Sequence, residues 1–135
     1  PHTPAEKALG FDKSPSGISG LETAMGSLLS LVHSGQIELG LLIAKLTSEP
    51  ARIIGDRQGK LGSLAIGAEA DIVILDPDRE WRVDTDKFAS KGKNTPLAGS
   101  KLKGKVMVTI FGGKLVYKDE SIVVKEGKET KKVTV

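Results

Sequence analysis

Apolar residues along this chain follow two periods, and the change falls near Gly55 to Gly62. Upstream, Leu21, Ala24, Met25, Leu28, Leu29 and Val32 recur at the i, i+3, i+4, i+7 spacing of one helix face. Ser19 and Glu22 have the S-x-x-E spacing of a capping box that would start this helix, and Gly35 is placed to end it. A second helix is expected around Ile37 to Leu46, with Leu39, Leu42, Ile43 and Leu46 on one side. A third, shorter helix follows, with Thr47 or Ser48 as its cap, Pro50 in its first turn and Gly55 as its stop.

Downstream the period falls to two. Ala70 to Pro77 reads as a buried strand ending in a turn, and Trp81 to Val83 as a shorter strand. Lys105 to Phe111 and Lys114 to Tyr117 flank Gly112-Gly113, a two-residue hairpin signal. Ser121 to Val124 could add a last strand, whereas the tail from Lys125 is too polar to bury much. Asp84 to Ser100, rich in polar residues and containing Gly92, Asn94, Pro96 and Gly99, is long for a connection and needs a function or a surface to lie on. The pattern as a whole is α/β: a loop with two or three helices over residues 1–55, then a small antiparallel β module over 56–135.

Composition narrows the function classes. With 135 residues and 39% hydrophobic content, the chain can bury one domain-sized core or parts of two. There is no cysteine, so disulfides and thiolate metal sites are excluded, which fits a reducing cytoplasm. No stretch approaches the roughly 20 apolar residues of a membrane helix, and the N-terminus does not resemble a signal peptide. Charge is uneven: residues 1–90 carry 9 basic and 13 acidic side chains, residues 91–135 carry 11 lysines, no arginine and 4 acids. A lysine-rich end can attract nucleic acid, but without arginine and with few aromatics it lacks base readout and stacking platforms. Lysines guarding a sheet edge are the better account, and nucleic acid is not expected as a partner.

Residues able to do chemistry are few. The two histidines, His2 and His33, belong to no H-x-H, H-E-x-x-H or histidine-carboxylate cluster, no Ser-His-Asp arrangement is legible, and the glycine-rich loop fits neither a dinucleotide nor a P-loop fingerprint. His33 falls at the end of the first long helix, where a cation near the carboxyl terminus is mildly favourable. The opening stretch, PHTPAEKALGFDKSPSGISGLETA, is more telling. It places a histidine between prolines ahead of a loop whose Gly10, Ser16, Gly17 and Gly20 let a backbone approach a ligand closely. It reads as the downstream half of an active site.

PHTPAEK with SGISGLET resembles the segment that follows the eighth strand of the metal-binding barrel in dihydroorotases, members of the amidohydrolase superfamily. TSEPARIIG, GKLGSLAIGAEADIVILDP and KNTPLAGSKLKGKVMVTIFGGKLVY continue the resemblance in order, over about residues 1–125. It implies the C-terminal portion of a metal-dependent (β/α)8-barrel hydrolase: the last active-site loop and barrel helices over 1–55, then a small β-sandwich lacking its N-terminal strands over 56–135. The implied reaction is zinc-assisted, reversible hydrolysis of the cyclic amide of dihydroorotate to N-carbamoyl-aspartate in pyrimidine biosynthesis. His2 would contact the substrate carboxylate, and Ser16 and Gly17 would offer backbone amides to the ring. Metal ligands and the general base would lie upstream, so the 135 residues alone are expected to bind no metal and not to catalyse. The implied partners are the missing N-terminal portion or further copies of the chain and, in some relatives, aspartate transcarbamoylase. A hydantoinase-like amidohydrolase is the enzymatic alternative; a non-catalytic module binding through its β edge is the other.

Overall fold

The computed structural model describes residues 2–55 and 61–122. Four helices precede three strands: α1 (Pro4–Lys7), α2 (Ala24–His33), α3 (Leu39–Leu46), α4 (Ser48–Ile54), β1 (Ile72–Arg82), β2 (Lys101–Phe111) and β3 (Lys114–Lys118). The strands form one antiparallel sheet in the order β1-β2-β3, so the described residues make a single sheet where a sandwich was expected. Ser121 lies in a turn rather than a strand; Val123 and Val124 of the expected last strand, and the polar tail, lie outside the described residues.

β1 absorbs both strands expected between Ala70 and Val83. The turn foreseen at Asp76-Pro77 is instead a register shift between Asp76 and Glu80, where the Asp76 carboxylate accepts the N–H groups of Asp78 and Arg79. An irregularity of this kind bends a strand without ending it. Nor is β1 a buried strand, since Val73 and Ile74 are about half exposed. At the hairpin, Gly112 and Gly113 have φ of 53° and 73°, the two positive angles a type I′ turn needs.

α2 packs on β2 through a face the apolar spacing does not predict. Its buried residues are Gly26 and Leu29, while Met25, Leu28 and Val32 are only partly covered and Leu21 is outside the helix and exposed. Glycine decides this. A side chain at Gly26 would lie 3.1 Å from the Gly104 carbonyl oxygen, and one at Gly104, whose φ is 99°, would overlap Leu29 Cδ1. Two bare backbones therefore let the helix settle close to the strand and seal Leu29 completely. Trp81 closes the same region from β1 by donating its indole N–H to the Gly104 carbonyl at 2.9 Å. At the helix end, a His33 ring nitrogen lies 3.1 Å from the Pro77 carbonyl oxygen, which ties α2 to the bend in β1.

The other helix boundaries agree within two residues, but their caps differ. α3 starts at Leu39 and buries only Leu42 of its expected face; Ile43 and Leu46 remain exposed. Thr47 does not cap α4, because its hydroxyl donates back to the Ile43 carbonyl. Gly55 follows the end of α4 as expected.

Candidate functional site

The loop from Thr3 to Thr23 is built by short-range bonds. Thr3 and Glu6 form a complete capping box at α1, the Thr3 N–H and hydroxyl donating to Glu6 Oε2 at 2.6 and 2.8 Å. Those bonds hold the Glu6 carboxyl below its ordinary value, the backbone N–H of Thr3 contributing most. The box orients both flanks of the turn. His2, on one side, is about half exposed with Nδ1 4.0 Å from Glu6 Oε2. Lys7, on the other, reaches across the loop to donate to the Pro15 and Gly17 carbonyls at 2.6 and 2.7 Å.

The capping box expected at Ser19 and Glu22 does not form. α2 begins one residue beyond Thr23 without a side-chain cap, and Glu22 turns instead to the connection between β1 and β2. Its two oxygens accept the N–H groups of Ala89 and Ser90 at 3.0 and 2.9 Å. Burial raises the Glu22 carboxyl, but these amides and the nearby Lys93 outweigh it and leave the group below its ordinary value. The connection is also held by Asn94, whose carbonyl accepts the Ser19 N–H at 2.6 Å and whose Nδ2 donates to the Gly17 carbonyl at 3.3 Å. Val83 closes its neck, donating to the Ser100 carbonyl and accepting from the Gly99 N–H, both at 2.9 Å. The surface this long connection needed is therefore the N-terminal loop.

Two adjoining concavities lie along this seam. One, of about 160 Å³, is lined by His2, Lys7, Ser16, Gly17, Ile18, Ser19, Gly92 and Asn94. All three residues singled out from sequence, His2, Ser16 and Gly17, thus face the same small space. The other, of about 530 Å³, runs between Ile18 to Glu22 and Phe88 to Gly92. Lys7, Gly92 and Asn94 were not foreseen as part of the site; the length and polarity of the Asp84 to Ser100 segment were the only signal for Gly92 and Asn94, and Lys7 had none. Chemically the smaller space offers backbone N–H groups, one imidazole and one ammonium, a set suited to a ligand rich in acceptor oxygens. Among the described residues, no three His, Cys, Asp or Glu side chains come together to hold a metal ion.

Residues 26–117 match the model of the amidohydrolase family. The chain belongs to that family. Curated relatives extend the match into the loop: the dihydroorotase of Geobacter metallireducens is 46% identical over 119 residues, 87% of this chain, and that of Aquifex aeolicus 50% identical over 119 residues, 88% of this chain. The chain spans 27% of the length of each. Among solved structures, the L-hydantoinase (dihydropyrimidinase) of Arthrobacter aurescens aligns with 84% of this chain and 25% of its own, with a TM-score of 0.72 and 31% identity. No helix among the described residues is long and apolar enough to cross a membrane.

Proposed function

We propose that this amidohydrolase chain supplies the substrate-holding loop, together with adjoining helices and sheet, of a cytoplasmic dihydroorotase that interconverts dihydroorotate and N-carbamoyl-aspartate. The observation that carries this reading is the identity of 46% and 50% to two dihydroorotases over 119 residues, 87–88% of this chain. In this reading residues 1–55 end a (β/α)8 barrel and 56–135 belong to its companion β domain. His2 donates a hydrogen bond to the substrate carboxylate, and the Ser16 and Gly17 backbone amides meet the ring. Both interactions hold and orient an anionic cyclic amide; neither moves a proton to the leaving nitrogen.

Zinc dependence belongs to the same reading; among the described residues no three His, Cys, Asp or Glu side chains come together to hold the ion, and in this reading its ligands and the general base lie upstream in the intact protein. The structural likeness to hydantoinases favours a second reading, a hydantoinase-like enzyme acting on a different cyclic amide. Turnover of dihydroorotate and of hydantoin by the intact protein with zinc separates the two. Dihydroorotate is expected to be the better substrate, and His2→Ala to raise its KM by on the order of tenfold or more, the loss of a hydrogen bond to a charged group. Preference for hydantoin, or zinc-supported turnover by the isolated 135-residue chain, would sink the dihydroorotase reading as stated.

A further inference from the structure

We propose that Lys7 is a positioning residue that sets the direction of the amide donors in the substrate loop, with Asn94 of the β1–β2 connection as its second anchor; the inference rests on the reading of this loop as a substrate site. Its basis is the way the loop's polar groups divide. The carbonyls of Pro15 and Gly17 are both taken by the Lys7 ammonium, at 2.6 and 2.7 Å, and the Gly17 carbonyl also accepts from Asn94 Nδ2. Among the described residues, the N–H groups of Ser16, Gly17 and Ile18 meet no acceptor. Two carbonyls of this stretch, those of Pro15 and Gly17, are thus occupied by protein, and three of its donors are left for a ligand.

Peptide geometry turns this division into orientation. Every peptide bond described is trans, so each N–H points opposite to the carbonyl of its own planar unit. Holding the Pro15 carbonyl on Lys7 directs the Ser16 N–H away from the ammonium, and holding the Gly17 carbonyl does the same for the Ile18 N–H. The two fixed planes flank Gly17, whose φ of 100° lets the chain turn between them. Ser16, Gly17 and Ile18 all line the smaller concavity, as do Lys7 and Asn94. A charged donor bonded to two carbonyls also leaves net positive charge beside the loop, which favours an anion over a neutral ring.

Two properties follow for the ligand: it presents acceptor oxygens to the amides and carries negative charge. The experiment compares Lys7→Met, Lys7→Arg and Asn94→Ala in the intact protein by backbone order parameters from NMR relaxation at Ser16 to Ile18 and by steady-state kinetics. Lys7→Met should lower the backbone order parameters at Ser16 and Ile18 from about 0.85 toward 0.6, and raise KM on the order of tenfold with a smaller change in kcat, as expected for losing charged hydrogen bonds that orient a binding group. Lys7→Arg, which can still donate to both carbonyls, should recover most of each effect. Asn94→Ala should loosen Ile18 and leave Ser16 unchanged, and it serves the same purpose if Lys7→Met does not fold. Unchanged order parameters in the variants overturn the clamp whatever happens to KM; a more mobile loop with unchanged KM overturns its role in binding. KM is read on whichever cyclic amide the intact protein turns over, so a preference for hydantoin defeats the dihydroorotase reading without deciding the clamp.

Discussion

Asp119 shows what one side chain contributes at the end of β3. It is 5% exposed, bonds the Lys105 ammonium at 2.5 Å and accepts both the N–H and the hydroxyl of Ser121, while its own N–H donates to the Met107 carbonyl. Lys105 in turn lies 5.5 Å from the centre of the Trp81 ring. The Lys105 ammonium, followed by Ser121, holds the Asp119 carboxyl far below the ordinary range. A group depressed on folding contributes stability that is fully present above its unfolded value, about 3.9, and is lost as pH falls below it. Asp119→Asn is therefore expected to cost about 1–3 kcal/mol at neutral pH, with the gap from the parent protein shrinking as the solution is acidified toward pH 3. Thermal unfolding of both forms of the intact protein across that range checks it; a gap that does not narrow would refute the assignment. Nothing in the order of residues marks Asp119 or Lys7 for these roles, because each meets partners through space. His2, Ser16 and Gly17 were singled out through the resemblance carried by PHTPAEK and SGISGLET, and the three fall along one concavity.

Among the elements, the β1–β2 connection departs furthest from what local pattern implies. Its length and polarity announced a docking surface, but the identity of that surface depended on Glu22, whose S-x-x-E spacing pointed to a helix cap. Two converging backbone N–H groups on a carboxylate outcompete the single reciprocal bond a capping box would provide. Glu22→Gln should consequently leave α2 intact but loosen residues 88–92, seen as faster proteolytic cleavage within that segment. Acidification should do the same, because the Glu22 carboxyl lies below its ordinary value when docked and the interaction fades as pH falls through that range. Equal cleavage rates in parent and variant would show that Asn94 and Val83 suffice to hold the segment. The face of α2 was misjudged for a related reason: hydrophobic periodicity counts side chains, whereas the closest contact here is made at Gly26 and Gly104, where there are none.

For the whole molecule, the balance of buried and exposed apolar surface sets the expected behaviour. The described core comprises Leu29, Leu42, Val83 and Phe88, while Leu21, Ile53, Ile66, Phe111, Leu115 and Val116 are among the large apolar residues left more than half exposed. β1 and β3 are also the outer strands of the described sheet. Surfaces of this kind associate. The isolated 135-residue chain should therefore bind an apolar dye and sediment as concentration-dependent oligomers; a dye-silent monomer with one sharp unfolding transition would contradict this. Sequence by itself determined the passage from helices to strands, the glycine hairpin and the family resemblance, because periodicity, turn chemistry and short motifs are local properties of the chain. Tertiary structure alone decided that α2 lies on β2 through glycines, that the two expected strands are one bent strand, and that Glu22 and Asn94 join the loop to the distant connection. Those outcomes depend on which backbone groups meet across long sequence separations, where close packing and the need to satisfy polar groups overrule local preference.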